Sequence, residues 1–456
     1  MLPSLPPELI DYIVDFLHDD PFALRTCSLV CRALVPAARF HAFQHVILWE
    51  RWRHLIRDDT YLDAFVVLLQ STHCTFSTFV TRLTLEELDY NFPPPASNAY
   101  SALRKHLPSL TSIALSQGTG GRAIDSQLSG LADLVPHCAN LTHVRLDWVT
   151  LPLREDIFSF LALLPSSVET LELVNLRSNW RNFVDPPSEK AMSIPFPAAQ
   201  SLRTLKLHSS DWGVPILSEV LDHFASYANG KRVQLCTLQL LELQAHDFVA
   251  VGRFFDALGG ILEDVALGFS QGVHISNPDD VVQQRLDSDI DTFLACVDLQ
   301  RLTSLRRFQF HAQPLDIVHS RDNKGKRTFT YHLLPGMLTS LSAIQRLDEV
   351  TIRLAFNKWI RPSECPAATQ LDALAEWSEL DAALVRLESV SRLLFLATFE
   401  RTLWPPPGRR EPQNVKFDMR KVYEEVLALV PMRIPRTVEE RGNALSFAAQ
   451  MPIGHK

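Results

Sequence analysis

One short pattern constrains this chain more than any other feature: an apolar residue, two others, an apolar residue, one other, and an apolar residue, returning roughly ten times from Phe43 onward. The copies fall at Phe43/Val46/Leu48, Val80/Leu83/Leu85, Leu110/Ile113/Leu115, Leu141/Val144/Leu146, Val168/Leu171/Leu173, Leu202/Leu205/Leu207, Leu238/Leu241/Leu243, Leu262/Val265/Leu267, Leu305/Phe308/Phe310 and Leu347/Val350/Ile352. The last two positions of each copy alternate with a non-core residue, as a β-strand with one buried face requires.

Between the copies lie stretches with helical character: Tyr61–Gln70, Ser101–Leu107, Gln127–Val135, Arg154–Leu164, Pro215–Tyr227, Phe248–Leu258, Val281–Leu299, Tyr331–Leu341 and Leu371–Leu387. Several run into a proline before the next strand, as at Leu107-Pro108, Val135-Pro136 and Leu164-Pro165, which ends a helix. A single strand-plus-helix unit cannot bury its apolar face alone, so neighbouring units must stack. Burying one leucine contributes about 1.5–3 kcal/mol, enough over the array to offset the cost of ordering irregular copies. The pattern resembles that of leucine-rich repeats. The resemblance implies an α/β repeat fold, a solenoid with a curved parallel sheet and outer helices, here over residues 49–403. The copies are spaced irregularly, roughly 25 to 45 residues apart, and most lack the asparagine or cysteine expected after each strand.

Two segments interrupt the array and read as loops: Ser178–Pro197, and His311–Thr330 with its charged run from His319 to Arg327, which reads as solvated charge. Residues 404–456 begin with the proline-rich stretch Trp404–Pro412 and continue into an expected helix over Met419–Val430, a linker followed by a C-terminal helix or cap.

The first 48 residues differ in kind. Leu5-Pro6-Pro7-Glu8 opens a helix with prolines where a missing N–H costs nothing and an acid where the helix dipole favours one. Leu9, Ile10, Ile13, Val14 and Leu17 then form one apolar face, with Asp11 and Asp15 opposite. Asp20-Pro21 supplies the cap and start of a second helix through Leu24, Cys27, Leu29, Val30, Cys31 and Leu34, which Pro36 interrupts or restarts. A unit of about 40 residues this apolar buries too little surface to stand alone and calls for a partner or the next domain.

The order Leu5-Pro6-Pro7-Glu8-Leu9-Ile10, Ile13, Leu17, Asp20-Pro21 and Cys27-Ser28-Leu29-Val30-Cys31-Arg32 resembles the F-box, and the chain as a whole resembles fungal F-box proteins with a degenerate leucine-rich-repeat-like domain. That resemblance implies docking onto a Skp-family linker protein, and through it onto a cullin. By position, Leu5, Pro6, Leu9, Ile10, Ile13, Leu17, Leu29, Val30 and Cys31 form the expected docking face or its support.

The search for chemistry is negative. No Gly-x-Ser-x-Gly, His-Glu-x-x-His, Walker loop or Cys-x-x-Cys occurs. Gly118-Thr-Gly120-Gly121 lacks the lysine and spacing of a phosphate loop. Asp287-Ser-Asp289-Ile-Asp291 alternates like a calcium loop, but Thr292 stands where the sharp turn needs glycine. Cys27 and Cys31 with His18, His41 and His45 could suggest a metal site, but both cysteines fit an apolar face and read as core. Neither a metal nor a cofactor is expected. A net charge of −8 offers no positive field for nucleic acid or anionic lipid. Seven scattered cysteines read mostly as reduced core positions, the N-terminus lacks a signal-peptide pattern, and no apolar run approaches the ~18 residues of a membrane helix. A soluble intracellular protein, cytoplasmic or nuclear, is expected.

The expected role is substrate recognition in a Skp–cullin–F-box ubiquitin ligase, without catalysis of its own. An unknown protein target would be held on exposed strand positions such as Thr84, Arg145, Glu172, Lys206, Glu242 and Gln309. The alternative is a repeat scaffold whose helices cap the array and join no ligase.

Overall fold

A computed structural model describes residues 6–49, 61–86, 99–116, 125–151, 155–178, 196–208, 216–228, 233–269, 281–311, 329–357, 377–400 and 427–450. The chain divides into two units, Met1–Thr204 and Leu205–Lys456. Twelve parallel strands pair in chain order, apart from two short strands that form a separate pair.

The first unit opens with three helices, α1 (Pro7–Asp15), α2 (Pro21–Val30) and α3 (Val35–Gln44). Each start follows from its residues. Pro7 opens α1 with Glu8 in the first turn, the Asp20 carboxylate accepts the N–H groups of Phe22 and Ala23 at 3.0 and 2.9 Å, and Pro36 sits in the first turn of α3. Val14, Leu24, Ala37 and Ala38 form their common core, with Leu17, Cys27 and Leu34 packed against it. The aspartate at the end of α1 is tied to α3, since His41 Nε2 lies 2.7 Å from Asp15 Oδ1.

Helix α3 runs directly into β1 (His45–Trp49). The unit then alternates α4 (Tyr61–Gln70), β2 (Arg82–Glu86), α5 (Ala99–His106), β3 (Ser112–Ser116), α6 (Asp125–Leu134), β4 (His143–Asp147), the short β5 (Thr150–Leu151), α7 (Glu155–Leu163), β6 (Thr170–Val174) and the short β7 (Arg177–Ser178). Strand β8 (Thr204–His208) begins on the last residue of this unit. The expected apolar triplets from Val80 to Leu207 are buried throughout.

The register is stapled at the start of each strand. The Thr81 carbonyl accepts the N–H groups of both Thr111 and Ser112, Thr111 those of Thr142 and His143, and Thr142 those of Glu169 and Thr170. Threonine hydroxyls reinforce the staple, Thr111 donating to Thr81 O and Thr142 to Thr111 O. These bonds satisfy polar backbone at the entry to each strand.

The second unit continues with α8 (Ile216–Ala228), β9 (Thr237–Leu243), α9 (Phe248–Leu258), β10 (Asp264–Phe269), α10 (Val281–Cys296), β11 (Arg307–His311), α11 (Phe329–Leu341), β12 (Glu349–Asn357), α12 (Trp377–Val385), β13 (Arg392–Glu400), a helical stretch at 427–433, α13 (Pro435–Arg441) and β14 (Leu445–Gln450). The same carbonyl staple recurs: Cys236 accepts from Glu263 and Asp264, Glu263 from Arg306 and Arg307, and Arg306 from Asp348 and Glu349. Phe248, Phe269 and Phe293 meet edge to face at 5.0–6.1 Å in its core.

Four expectations need correction. The triplet placed at Leu238/Leu241/Leu243 is shifted by three: Leu235, Leu238 and Leu240 are the fully buried set, because Leu238 and Leu240 align with Val265 and Leu267 of β10. A bulge follows, and Glu242 takes a positive φ of 59°. The repeat pattern also continues past the last expected copy, with Val390, Leu393 and Phe395 buried at β13. Strand β14 then pairs in parallel with β13, so residues after 404 add a further strand rather than only a linker and helix. Among the cysteines, Cys138 is buried but Cys31 is exposed at the end of α2, beyond reach of the module's core.

Asp287–Asp291 lies inside α10, a helix and not a loop. Gly118–Gly121 and His319–Arg327 fall outside the described residues. Among the described residues no helix is long and apolar enough to cross a membrane.

Candidate interaction surfaces

Two surfaces stand out, one on the helical module and one on the strands. The core of the module takes one side of each helix and leaves another bare. On α1, Leu9, Tyr12, Ile13 and Phe16 recur at spacings of three and four and are all exposed, with the Tyr12 and Phe16 rings edge to face at 4.9 Å. On α2, Phe22 and Leu29 lie two turns apart on one face and are 79% and 80% exposed, with Val30 beside Leu29 also exposed. Water against so many large apolar groups in so short a segment is unfavourable by about 1 kcal/mol or more for each that a partner could cover.

Of the expected docking residues, Leu9, Ile13, Leu29 and Val30 stand on this exposed surface, and Pro6 and Cys31 are exposed as well. Ile10 is half-buried, Leu17 packs against the module core, and Leu5 lies outside the described residues. Tyr12, Phe16 and Phe22 were not expected. The signal for Tyr12 and Phe16 was present in the sequence, since each falls three or four residues from another apolar position, whereas Phe22 shares a face only with Leu29, seven residues on.

On the strands, residues alternating with the buried ones share one face, and their cross-strand partners are set by register. Thr84, Ala114, Arg145 and Glu172 form one row across β2, β3, β4 and β6. Thr84 Oγ1 lies 2.9 Å from His45 Nε2 on β1. Burial and then the Arg82 charge lower the His45 pKa. Arg145 reaches Asp147 at 2.5 Å and Glu172 at 3.1 Å. Burial works against the Arg145 charge, but the two carboxylates outweigh it and raise its pKa. Glu172 is therefore not an open strand position; it is 7% exposed, covered by Arg145 and by His143, whose Nε2 stands 3.5 Å away.

Ser112 Oγ lies 3.0 Å from His143 Nδ1, so Ser112, His143 and Glu172 fall in the order of a hydrolase triad. The surroundings do not support that chemistry. The Ser112 N–H already donates to Thr81 O, the following residues are tied into the ladder with β2, and Glu172 pairs with Arg145, so the backbone beside Ser112 is committed to the sheet.

In the second unit, the row β9–β12 reads Gln239, Ala266, Gln309 and Thr351. Glu242 is outside it, in the bulge, and Gln239 holds the place that the shifted triplet had assigned to Glu242. Gln309 accepts a hydrogen bond from Arg353 at 3.4 Å. Lys206 alternates with buried Leu205 and Leu207 on β8. Of the expected target positions, Thr84, Arg145 and Glu172 thus share one row in the first unit, and in the second Gln309 lies in a row that Glu242 does not join.

No family model matches the chain, and no curated protein matches it. Among solved structures, it is similar to the crystal structure of the Rad7 and Elc1 complex in yeast, at 13% identity over 90% of this chain and 98% of that one, with a TM-score of 0.27. A superposition that loose bears on neither fold nor function, and the description of the fold rests on the strands and their register alone.

Proposed function

We propose that this protein is a substrate-recognition subunit of a Skp–cullin–F-box ubiquitin ligase. The observation that carries the reading is the module's inverted use of apolar residues: its small core holds Val14, Leu24, Ala37 and Ala38, while Leu9, Tyr12, Ile13, Phe16, Phe22, Leu29 and Val30 stand in solvent. An amphipathic helix lays such a face into a partner's groove. The resemblance of the residue order to an F-box supports a Skp-family linker, and through it a cullin, as that partner.

The strand face of the repeats then holds the target protein. In this reading the chain performs no bond chemistry. It raises the local concentration of target lysines near a ubiquitin-charged enzyme, the advantage of turning a bimolecular encounter into an intramolecular one.

Co-expression of the full chain with a Skp-family linker, followed by size-exclusion chromatography, tests the reading. A co-eluting complex of stable stoichiometry is expected. Separate elution at micromolar concentration sinks it. Proximity labelling with and without proteasome inhibition then reveals the target as the protein enriched only when degradation is blocked.

A further inference from the structure

On the strand face of the second unit the charges sort by row. The row nearest the strand starts is closed on itself: Arg307 holds both carboxylate oxygens of Asp264, and Arg392 reaches Glu349 at 3.1 Å. The rows beyond it carry Lys206 and His208 on β8, His311 on β11 and Arg353 on β12, with Ala266 and Gly268 between them on β10. One sign of charge prevails there. Glu242 sits beside these rows, in the β9 bulge.

His311 marks where these charges converge. Its Nε2 is buried and, among the described residues, makes no hydrogen bond. Burial first, then the charges of Arg353 and His208, push its pKa down to about 3. Beside it, Gly268 leaves a bare floor: a Cβ there would stand 2.9 Å from Leu241 Cδ2 and 3.1 Å from His311 Cβ.

We infer that this face of the second unit receives an extended, carboxylate-rich segment of a protein partner, with Lys206, His208, His311 and Arg353 facing its acidic side chains. The inference rests on the reading of the strand face as the target-holding surface. Spacing decides between a single anion and a segment. Five strands at ~4.8 Å put about 19 Å between β8 and β12, too far for one phosphate to bridge and about the length of six extended residues. Lys206, His208 and Arg353 keep contacts within the fold. The segment adds to those contacts.

Fluorescence anisotropy of the full chain with a labelled peptide of alternating glutamate and glycine tests this. The glutamate peptide is expected to bind, more weakly as salt rises, and the same peptide with glutamine is not. Arg353→Glu and Lys206→Glu should each weaken binding about tenfold, while Arg25→Glu on α2, an equal change in net charge, should leave it unchanged. Unaltered circular dichroism shows that the variants fold. Equal binding of the glutamine peptide, indifference to both substitutions, or capture only of a phosphoserine peptide would each overturn the inference. Linker co-elution measured on the same variants separates this outcome from failure of the docking reading.

Discussion

In the helical module the buried apolar core consists of Val14, Leu24, Ala37 and Ala38, while Phe16, Phe22 and Leu29 face water; in the repeats, from Val80 to Phe395, the triplets are buried and polar alternate positions pair across strands, as Arg145 does with Glu172 and Arg353 with Gln309. Both regions are rich in leucine, isoleucine, valine and phenylalanine, so composition does not separate them. The difference lies in what each can complete within the chain. A repeat finds its missing surface in the next repeat, whereas three short helices with a core built partly on alanine do not. Apolar surface left over in a folded chain is a statement about a partner.

The contrast sets the order of effects expected from substitution. The largest falls in the repeat core. Phe308→Ala on β11 should cost about 3–5 kcal/mol by chemical denaturation, because Phe308 is fully buried. Phe16→Ser and Leu29→Ser should each change stability by less than about 0.5 kcal/mol. A loss of several kcal/mol from either would mean that the module's outer face is core after all.

Asp381 comes next. Buried on α12, it accepts hydrogen bonds from the N–H groups of Arg436 and Thr437 at 3.1 and 2.8 Å and from the Thr437 hydroxyl at 2.6 Å. It ties α13 to α12, and Arg441 adds donors to the carbonyls of Leu387 and Val390. Asp381→Ala leaves those groups unsatisfied and should cost about 1–3 kcal/mol, seen as faster proteolysis near residue 430.

The pH response is of similar size. The folded pKa of His311 is depressed to about 3, so below the unfolded value near 6.5 the unfolded chain takes up a proton that the folded chain does not. Its contribution to stability is therefore largest above about pH 6.5 and falls as pH drops toward 3. Between pH 6.5 and 5 the loss from this ring should be about 2 kcal/mol, and His311→Gln should remove that part of the slope. Parallel denaturation curves for both proteins across that interval would count against the buried, cation-flanked site.

The smallest effect belongs to the exposed ion pairs. Arg392→Ala, which breaks the pair with Glu349, should shift stability by less than about 1 kcal/mol and lose even that at high salt.

Much of this was legible in the residues. Helices at Tyr61–Gln70 and Phe248–Leu258 fall where the apolar spacing placed them, and Asp20 caps α2 as its position before Pro21 implied. What escaped did so for physical reasons. In the run Leu235–Leu243 five leucines offer several frames, and only pairing with β10 selects Leu235, Leu238 and Leu240. The first apolar position before β14 is Gly442, so that strand carries no complete triplet. The burial of Glu172 depends on Arg145 and His143 reaching over it from the neighbouring strand, which alternation within one strand cannot reveal. On the module, periodicity marked Leu9, Ile13 and Val14 as one apolar face, but only packing divides it into core Val14 and exposed Leu9 and Ile13.

The most direct test is a binding isotherm between the full chain and a purified Skp-family linker, comparing the natural sequence with Leu9→Asp/Ile13→Asp. The docking account predicts an affinity at least about 100-fold weaker for the double variant, with the same thermal midpoint as the parent. Equal affinity, or no measurable binding by the parent chain, would contradict it.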